Sequence, residues 1–313
     1  MPDLIKLASN HFAFHWSFPE IVADQMSFFE RAGIKILWTD VTPSHSVNKS
    51  SMYIDILESG IADLYHAADW VCIERTTKSK KGWMVAKSPA RAGNLNSSFT
   101  LFAAPGSGID DPEKFLDKQI AVDLGTGSYY TAMQDLSRYL PREKIKLVQM
   151  GEPSQRLVAL LENRVSGASL LSPWSDIARE LGMTEVLKTG RTGSTVLVSR
   201  RDLDPDTLSR FFLGLNRSIE QVDITPDECR GLYFTLLEEI LKTLPQSVQK
   251  AATALRETIP VPSWSPWVEY TEEDFQQSYS WMEANGFAVP GLKFSEVADL
   301  NSRSLFSNVT QDY

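Results

Sequence analysis

Apolar residues recur along this chain in two rhythms, short runs of strand length and longer stretches at helical spacing, and the two alternate. The clearest unit spans 119–162. Ile120-Ala121-Val122-Asp123-Leu124 predicts a strand, and the turn Gly125-Thr126-Gly127-Ser128-Tyr129-Tyr130 follows at once. Ala132, Met133, Leu136, Tyr139 and Leu140 mark one face of a helix over 131–140, which Pro141 ends. A second strand over 144–150 and a second helix over 154–161 complete the unit. A Gly-rich turn between a strand and a helix offers free N–H groups and the positive end of the helix dipole, which favour an anion.

Before this unit the pattern predicts a strand over 4–8, one helix over 18–31 closing at Ala32-Gly33, and a strand over 34–39. A helix over 51–58, a strand over 62–65, a loop from His66 to Trp70 and a helix to about 78 follow, then strands over 82–87 and 99–103 with a polar loop, 88–98, between them. After it come a strand over 168–171, the turn Ser172-Pro173-Trp174-Ser175, a helix over 176–181 and a strand over 195–199. The remainder is mostly helical, over 205–222, 226–244, 246–258 and 271–286, with a Pro/Trp-rich linker at 260–266. Alternating strands and helices predict an α/β protein with largely parallel sheets.

Composition narrows the functional classes. A chain of 313 residues suits two lobes of ordinary size, and 42% hydrophobic with 23% charged residues describes a folded, soluble protein. A net charge of −9 argues against a nucleic-acid partner, and the cluster of Arg75, Lys78, Lys80 and Lys81 reads as a solvated loop. Cys72 and Cys229 make no disulfide framework, and the four histidines, at 11, 15, 45 and 66, form no zinc-site spacing, so neither metal nor cofactor is expected. The first seven residues lead into a strand without the pattern of a secretory signal, and no run approaches the ~20 apolar residues of a membrane span. The expectation is a cytoplasmic protein without membrane insertion, or a periplasmic one if a leader was removed.

Four stretches resemble a known family. They are Phe28-Phe29-Glu30-Arg31-Ala32-Gly33-Ile34, Leu57-Glu58-Ser59-Gly60-Ile61-Ala62-Asp63, Phe115-Leu116-Asp117-Lys118-Gln119-Ile120-Ala121-Val122, and the run from Leu160-Leu161-Glu162-Asn163 to Pro173-Trp174. Their order and spacing are similar to those of the type 2 periplasmic-binding-protein-like family of alkanesulfonate- and taurine-binding and thiamine-pyrimidine-precursor proteins. Two departures stand out: Asp117 occupies a position where glycine is usual, and Ser166-Gly167 replaces a Val-Asp pair. The resemblance implies a two-lobed α/β fold with a two-strand hinge near 99–104 and 195–198. Lobe one would hold 1–100 and 196–313 with the C-terminal helices, and lobe two 101–195. It also implies a small-molecule ligand in the cleft, closed over by both lobes.

Candidate site residues carry paired readings. Gly125, Thr126, Gly127, Ser128 and Tyr129 lack the Lys-Ser/Thr of a phosphate loop and the third glycine of a dinucleotide fingerprint, which removes ATP and NAD. They read as an anion cradle or simply as a turn, with Gly127 as its left-handed position. Asn10 and His11 end the first strand as ligand contacts or satisfied loop residues, and Trp16 offers a ring for stacking. His66 and Asp69 read as an acid/base pair or as a loop with a capping aspartate. Ser172 and Trp174 end a lobe-two strand, where the resemblance implies a cleft-facing Trp174. Trp38, Trp83, Trp264 and Trp267 read as packing. Arg191 reads as an anion partner or an exposed side chain.

Departures from the resemblance restrict the chemistry. The iron-binding cysteines and the pyridoxal-phosphate lysine of the thiamine-pyrimidine synthases have no counterpart in 188–198 or 64–68, and Ser9-Asn10 is followed by His11 where the aromatic sulfinate desulfinases carry cysteine. The expected function is therefore a soluble protein that binds a small organic anion: a sulfonate, a carboxylate or a pyrimidine-like molecule. The alternative is a cytoplasmic lyase or hydrolase of an aromatic or heterocyclic acid, with His11 or His66 as general base. A transporter would be the partner if the protein is exported.

Overall fold

The structure is a computed structural model that describes residues 2–41, 49–89, 98–188 and 194–306. It divides into two compact units. Unit 1 comprises Met1–Arg91, Gly193–Pro226 and Ser263–Tyr313, and unit 2 comprises Ala92–Thr192 and Asp227–Pro262.

Unit 1 is built on a six-stranded sheet of β1 (Asp3–Ser9), β2 (Ile34–Asp40), β3 (Leu64–Ala68), β4 (Gly82–Ser88), β10 (Thr195–Arg200) and β11 (Val268–Glu269), ordered β11-β4-β10-β3-β1-β2. β1 runs parallel to β2 and β3, whereas β10 is antiparallel to both β3 and β4. The sheet is mixed rather than largely parallel, because β10 returns into its middle from the far side of unit 2 in sequence. His66 lies inside β3, opposite Leu197, and not in the loop that the sequence predicts. Pairing with β10 from Leu64 to Ala68 extends the strand past the apolar stretch that predicts it.

The helix α8 (Pro205–Ile224) packs on this sheet's core. Asp204 caps it by accepting from the Thr207 amide at 2.8 Å, Pro205 fits its first turn, and Leu208, Phe211, Phe212, Leu215, Ile219 and Val222 fall on its buried side. Phe29 stacks on Phe211 with ring centroids 5.0 Å apart. The single helix expected over 18–31 is two, α1 (Phe18–Gln25) and α2 (Phe28–Arg31), since Ser27 sits in the left-handed region at φ 58° and breaks the ladder. The helices α3 (Lys49–Glu58), α4 (Asp69–Lys78), α11 (Glu272–Ala284) and α12 (Phe294–Val297) also belong to unit 1.

Unit 2 holds a five-stranded sheet of β5 (Thr100–Ala103), β6 (Gln119–Val122), β7 (Lys146–Gln149), β8 (Gly167–Leu170) and β9 (Thr184–Lys188), ordered β7-β6-β8-β5-β9. β7, β6 and β8 are parallel, and β5 is antiparallel to β8 and β9. The sequence pattern does not predict β9: Thr-Glu-Val-Leu-Lys carries little apolar signal, and pairing with β5 makes the strand. Helices α5 (Gly127–Leu136), α6 (Pro153–Leu161) and α7 (Trp174–Glu180) follow β6, β7 and β8.

The boundaries differ from those expected: the divisions expected at 100–101 and 195–196 fall at 91–92 and 192–193, which leaves the 99–104 strand wholly in unit 2 and the 195–198 strand wholly in unit 1, and two further divisions are added. Asp227–Pro262, with most of α9 (Pro226–Leu241) and all of α10 (Gln246–Ala254), groups with unit 2, whereas the sequence reading places all of 196–313 in lobe one. The reason is packing: α10 lies against α7, and Tyr233 of α9 is fully buried and feels the charge of Asp176. The chain thus passes between units at 91–92, 192–193, 226–227 and 262–263. Residues 90–97 and 189–193, which include Arg191 and part of the polar loop expected over 88–98, lie outside the described residues.

Candidate functional site

In unit 1, β1 ends at Ser9 and a short 3-10 turn, His11–Ala13, leads into α1. Asn10 is buried at the base of this turn, accepting from the Ala13 amide at 2.9 Å, while His11 is exposed. Ser17 is the N-cap residue of α1 and Glu20 lies in its first turn, a Ser-x-x-Glu spacing that reads as a capping box. No side-chain cap forms, and both side chains instead meet the ring of His66. Ser17 Oγ and Glu20 Oε1 each lie 3.4 Å from His66 Nε2, and Ser9 Oγ donates to Ser17 Oγ at 3.4 Å. Glu20 is 1% exposed, and burial pushes its carboxyl up to about 8 against a weaker opposing pull from a backbone hydrogen bond.

Tryptophans surround this polar group. The ring of Trp264 lies 5.7 Å from that of Trp16 and 6.4 Å from that of His66, and Trp267 lies 6.2 Å from His66. Glu20 Oε2 and Trp264 Nε1 are both buried without a hydrogen-bond partner among the described residues. The sequence reading brings His66 and Trp16 into the site but misses Glu20, whose spacing mimics a cap, and takes Trp264 for packing alone. Asp69 lies in the first turn of α4, where its carboxylate accepts from the Trp70 amide at 2.8 Å and from Ser278 Oγ at 2.5 Å, anchoring α4 to α11. An acid that does lie beside His66 is Glu20, which the start of α1 supplies.

In unit 2, Gly125 takes the left-handed conformation at φ 68° and Gly127 does not: it opens α5 in helical geometry, which corrects the expectation for the turn. Thr126 Oγ1 donates to the Asp123 carbonyl at 2.7 Å, and Ser128 Oγ accepts from the Asp123 amide at 3.0 Å and lies 3.1 Å from Thr126 Oγ1. These hydroxyls bond within the turn and hold it closed. The amides of Tyr129 and Tyr130 bond to the Thr126 carbonyl, which leaves those of Gly127 and Ser128 as the first-turn donors of α5. Ser172 Oγ donates to Asp176 Oδ2 at 2.6 Å, within its own turn. Trp174 opens α7 and is fully buried, with Nε1 unpartnered among the described residues.

Arg156 is the residue that the sequence reading did not single out. It sits on α6 and is 3% exposed, yet Nε and Nη1 have no hydrogen-bond partner among the described residues. Burial lowers its pKa to about 10, and the charges of Asp123 and Glu152 pull the other way, so the guanidinium stays charged near neutrality. Asp123 Oδ1 accepts from Gln149 Nε2 at 2.8 Å, and Glu152 caps α6. A buried cation with unused donors calls for an acceptor oxygen. Its only sequence signal is a charge on the apolar side of a helix. Among the described residues, no group of three or more His, Cys, Asp or Glu could hold a metal ion, and no helix is long and apolar enough to cross a membrane.

No protein-family profile matches this sequence, and no curated protein does. Solved structures do match. The alkanesulfonate-binding protein SsuA of Xanthomonas axonopodis pv. citri, bound to MOPS, superposes with a TM-score of 0.71 at 14% identity, over 95% of this chain and 98% of its own. The periplasmic aliphatic sulphonate binding protein SsuA of Escherichia coli gives 0.71 at 14%, over 96% and 92%. The desulfurization enzyme DSZB gives 0.62 at 11%, over 98% and 99%. The chain therefore has the α/β fold of the SsuA-like periplasmic binding proteins, as the resemblance implies.

Proposed function

We propose that the protein binds a small organic anion, a sulfonate or carboxylate, with unit 2 recognising the acidic group. The observation that carries this reading is Arg156, buried with two sets of N–H donors unused. The fold shared with sulfonate-binding proteins supports it, as do the first-turn amides of α5. Isothermal titration calorimetry with methanesulfonate, benzenesulfonate, benzoate and MOPS tests it. At least one of these anions should bind saturably, and Arg156→Met should weaken that binding at least tenfold in protein that circular dichroism shows to be folded, with a lowered melting temperature because Asp123 and Glu152 lose the buried cation beside them. Absence of binding by the whole panel, or affinity unchanged in Arg156→Met, refutes the reading. If the protein is exported, a membrane transporter is its delivery partner.

The second reading, an enzyme acting on an aromatic or heterocyclic acid, draws on the buried contact between His66 and Glu20, which suits proton transfer. Mass spectrometry of gently denatured native protein separates the two: an intact retained metabolite supports binding, and turnover lost in His66→Ala supports catalysis.

A further inference from the structure

In unit 1, β10 begins at Thr195, soon after the chain crosses from unit 2, and ends at Arg200, roughly 17 Å further on at the usual strand rise. A cavity of about 300 Å³ opens at that far end. Its inner wall is apolar: Leu208 and Leu305 belong to the buried core of unit 1, and Trp83 and Leu203 pack on that core half-buried. Its rim is charged, with Arg200, Arg201, Asp202, Asp204 and Asp299 among the lining residues. Arg200 pairs with Asp202. Arg201 is held away from the other two aspartates: its guanidinium lies 5.4 Å from the Trp83 ring centroid and donates to the carbonyls of Gly82 at 3.4 Å and Glu296 at 3.1 Å. Asp204 accepts from the Thr207 amide at 2.8 Å and Asp299 from the Asn301 amide at 2.9 Å, and neither forms an ion pair among the described residues. Arg210, whose charge reaches Asp204, is itself paired with Asp3 and Asp206. Two arginines against three aspartates leave the lining with an excess of negative charge beside a half-buried indole, a combination that suits a cation carrying an apolar body.

We propose that this cavity is a second ligand site, for a small primary amine on an apolar stem, whose ammonium group pairs with Asp204 and Asp299 and whose stem lies against Trp83, Leu208 and Leu305. The site is independent of the anion reading, since every residue in it belongs to unit 1 and Arg156 to unit 2. A neutral molecule of the same shape leaves both carboxylates without a counter-ion, and an acid adds to the negative charge already there. No group of three or more His, Cys, Asp or Glu among the described residues could hold a metal ion, so the cation that fits is an organic one.

The probe is 2-phenylethylamine, with 2-phenylethanol as the comparator of the same skeleton and no charge. Calorimetry on the full chain near neutral pH should give saturable binding of the amine at least tenfold tighter than of the alcohol. Asp299→Asn removes one carboxylate, and Asp204→Asn removes the other while asparagine still caps α8. Each should weaken amine binding at least fivefold and narrow its lead over the alcohol. Trp83→Leu should weaken both probes, since both lose the ring. Arg156→Met should leave amine binding within twofold, so this site and the anion site can fail separately. The proposal is overturned by no saturable binding of the amine, by equal affinity for amine and alcohol, by amine affinity unchanged in both aspartate variants or in folded Trp83→Leu, or by amine binding lost in Arg156→Met. Should Trp83→Leu fail to fold, as judged by circular dichroism, the aspartate variants and the probe comparison decide alone.

Discussion

Asn163 ends α6 at φ 54°, with its amide bonded to the Leu160 carbonyl and the Arg164 amide to the Ala159 carbonyl, the two bonds of a Schellman motif. Glycine enters this conformation without the Cβ clash, so Asn163→Gly should leave stability unchanged or raise it by up to about 1 kcal/mol, and Asn163→Val should lower it by about 1–2 kcal/mol. Urea midpoints measure both. Asp117, at φ 55°, explains in the same way why glycine is usual at its position in the family that this chain resembles. In the turn before α5, Gly125→Ala should cost about 1 kcal/mol and Gly127→Ala much less, since only Gly125 is left-handed. Glu20 supplies a pH dependence. Its carboxyl titrates near 8 when folded against 4.5 ordinarily, so the folded state holds the extra proton between those values. Stability should then fall as pH rises from about 4.5 to 8 and level off above. Glu20→Gln should flatten that slope, measured as the urea midpoint across the range, and an unaltered slope would mean that the carboxyl ionises freely.

At the scale of elements, neighbours override local pattern where the pattern is weak. The strand β8 contains Gly167 because the ring of Phe115 lies where a side chain would go: a Cβ there would sit 2.5 Å from its Cε1. Gly167→Ala should therefore destabilise the protein by about 1–3 kcal/mol, as overpacking does, and Gly231→Ala, where a Cβ meets nothing within 4 Å, should not. Thermal melts of the two variants compare them directly. The Leu57–Asp63 turn, one of the stretches that carry the resemblance, proves structural. Asp63 Oδ2 accepts from the Lys6 amide at 2.9 Å, and the Gly60 carbonyl accepts from Lys6 Nζ at 2.8 Å, tying the turn to β1. The start of α1 shows the reverse case, since its Ser-x-x-Glu spacing belongs to a cap and its side chains belong to His66.

For the whole molecule, a ligand that binds only the folded chain raises its stability by mass action. At about 100 times the dissociation constant, a bound sulfonate should add about 2.7 kcal/mol, read as a concentration-dependent rise in melting temperature that Arg156→Met cuts to about half or less. What the sequence determined by itself is the set of long, strongly periodic elements, such as α8 and α11, and the strand–turn–helix unit around Gly125. In these, burial of one face and the cap or turn residues point the same way. Tertiary structure alone decided the rest: the insertion of β10 between β3 and β4, the formation of β9, the placing of α9 and α10 with unit 2, and the turning of Glu20 and Arg156 inward. A charged residue at a helix start or on a helix face follows the same local rules whether it meets water or a buried imidazole. Only the packing of distant strands and helices around it removes the water and gives it a chemical role.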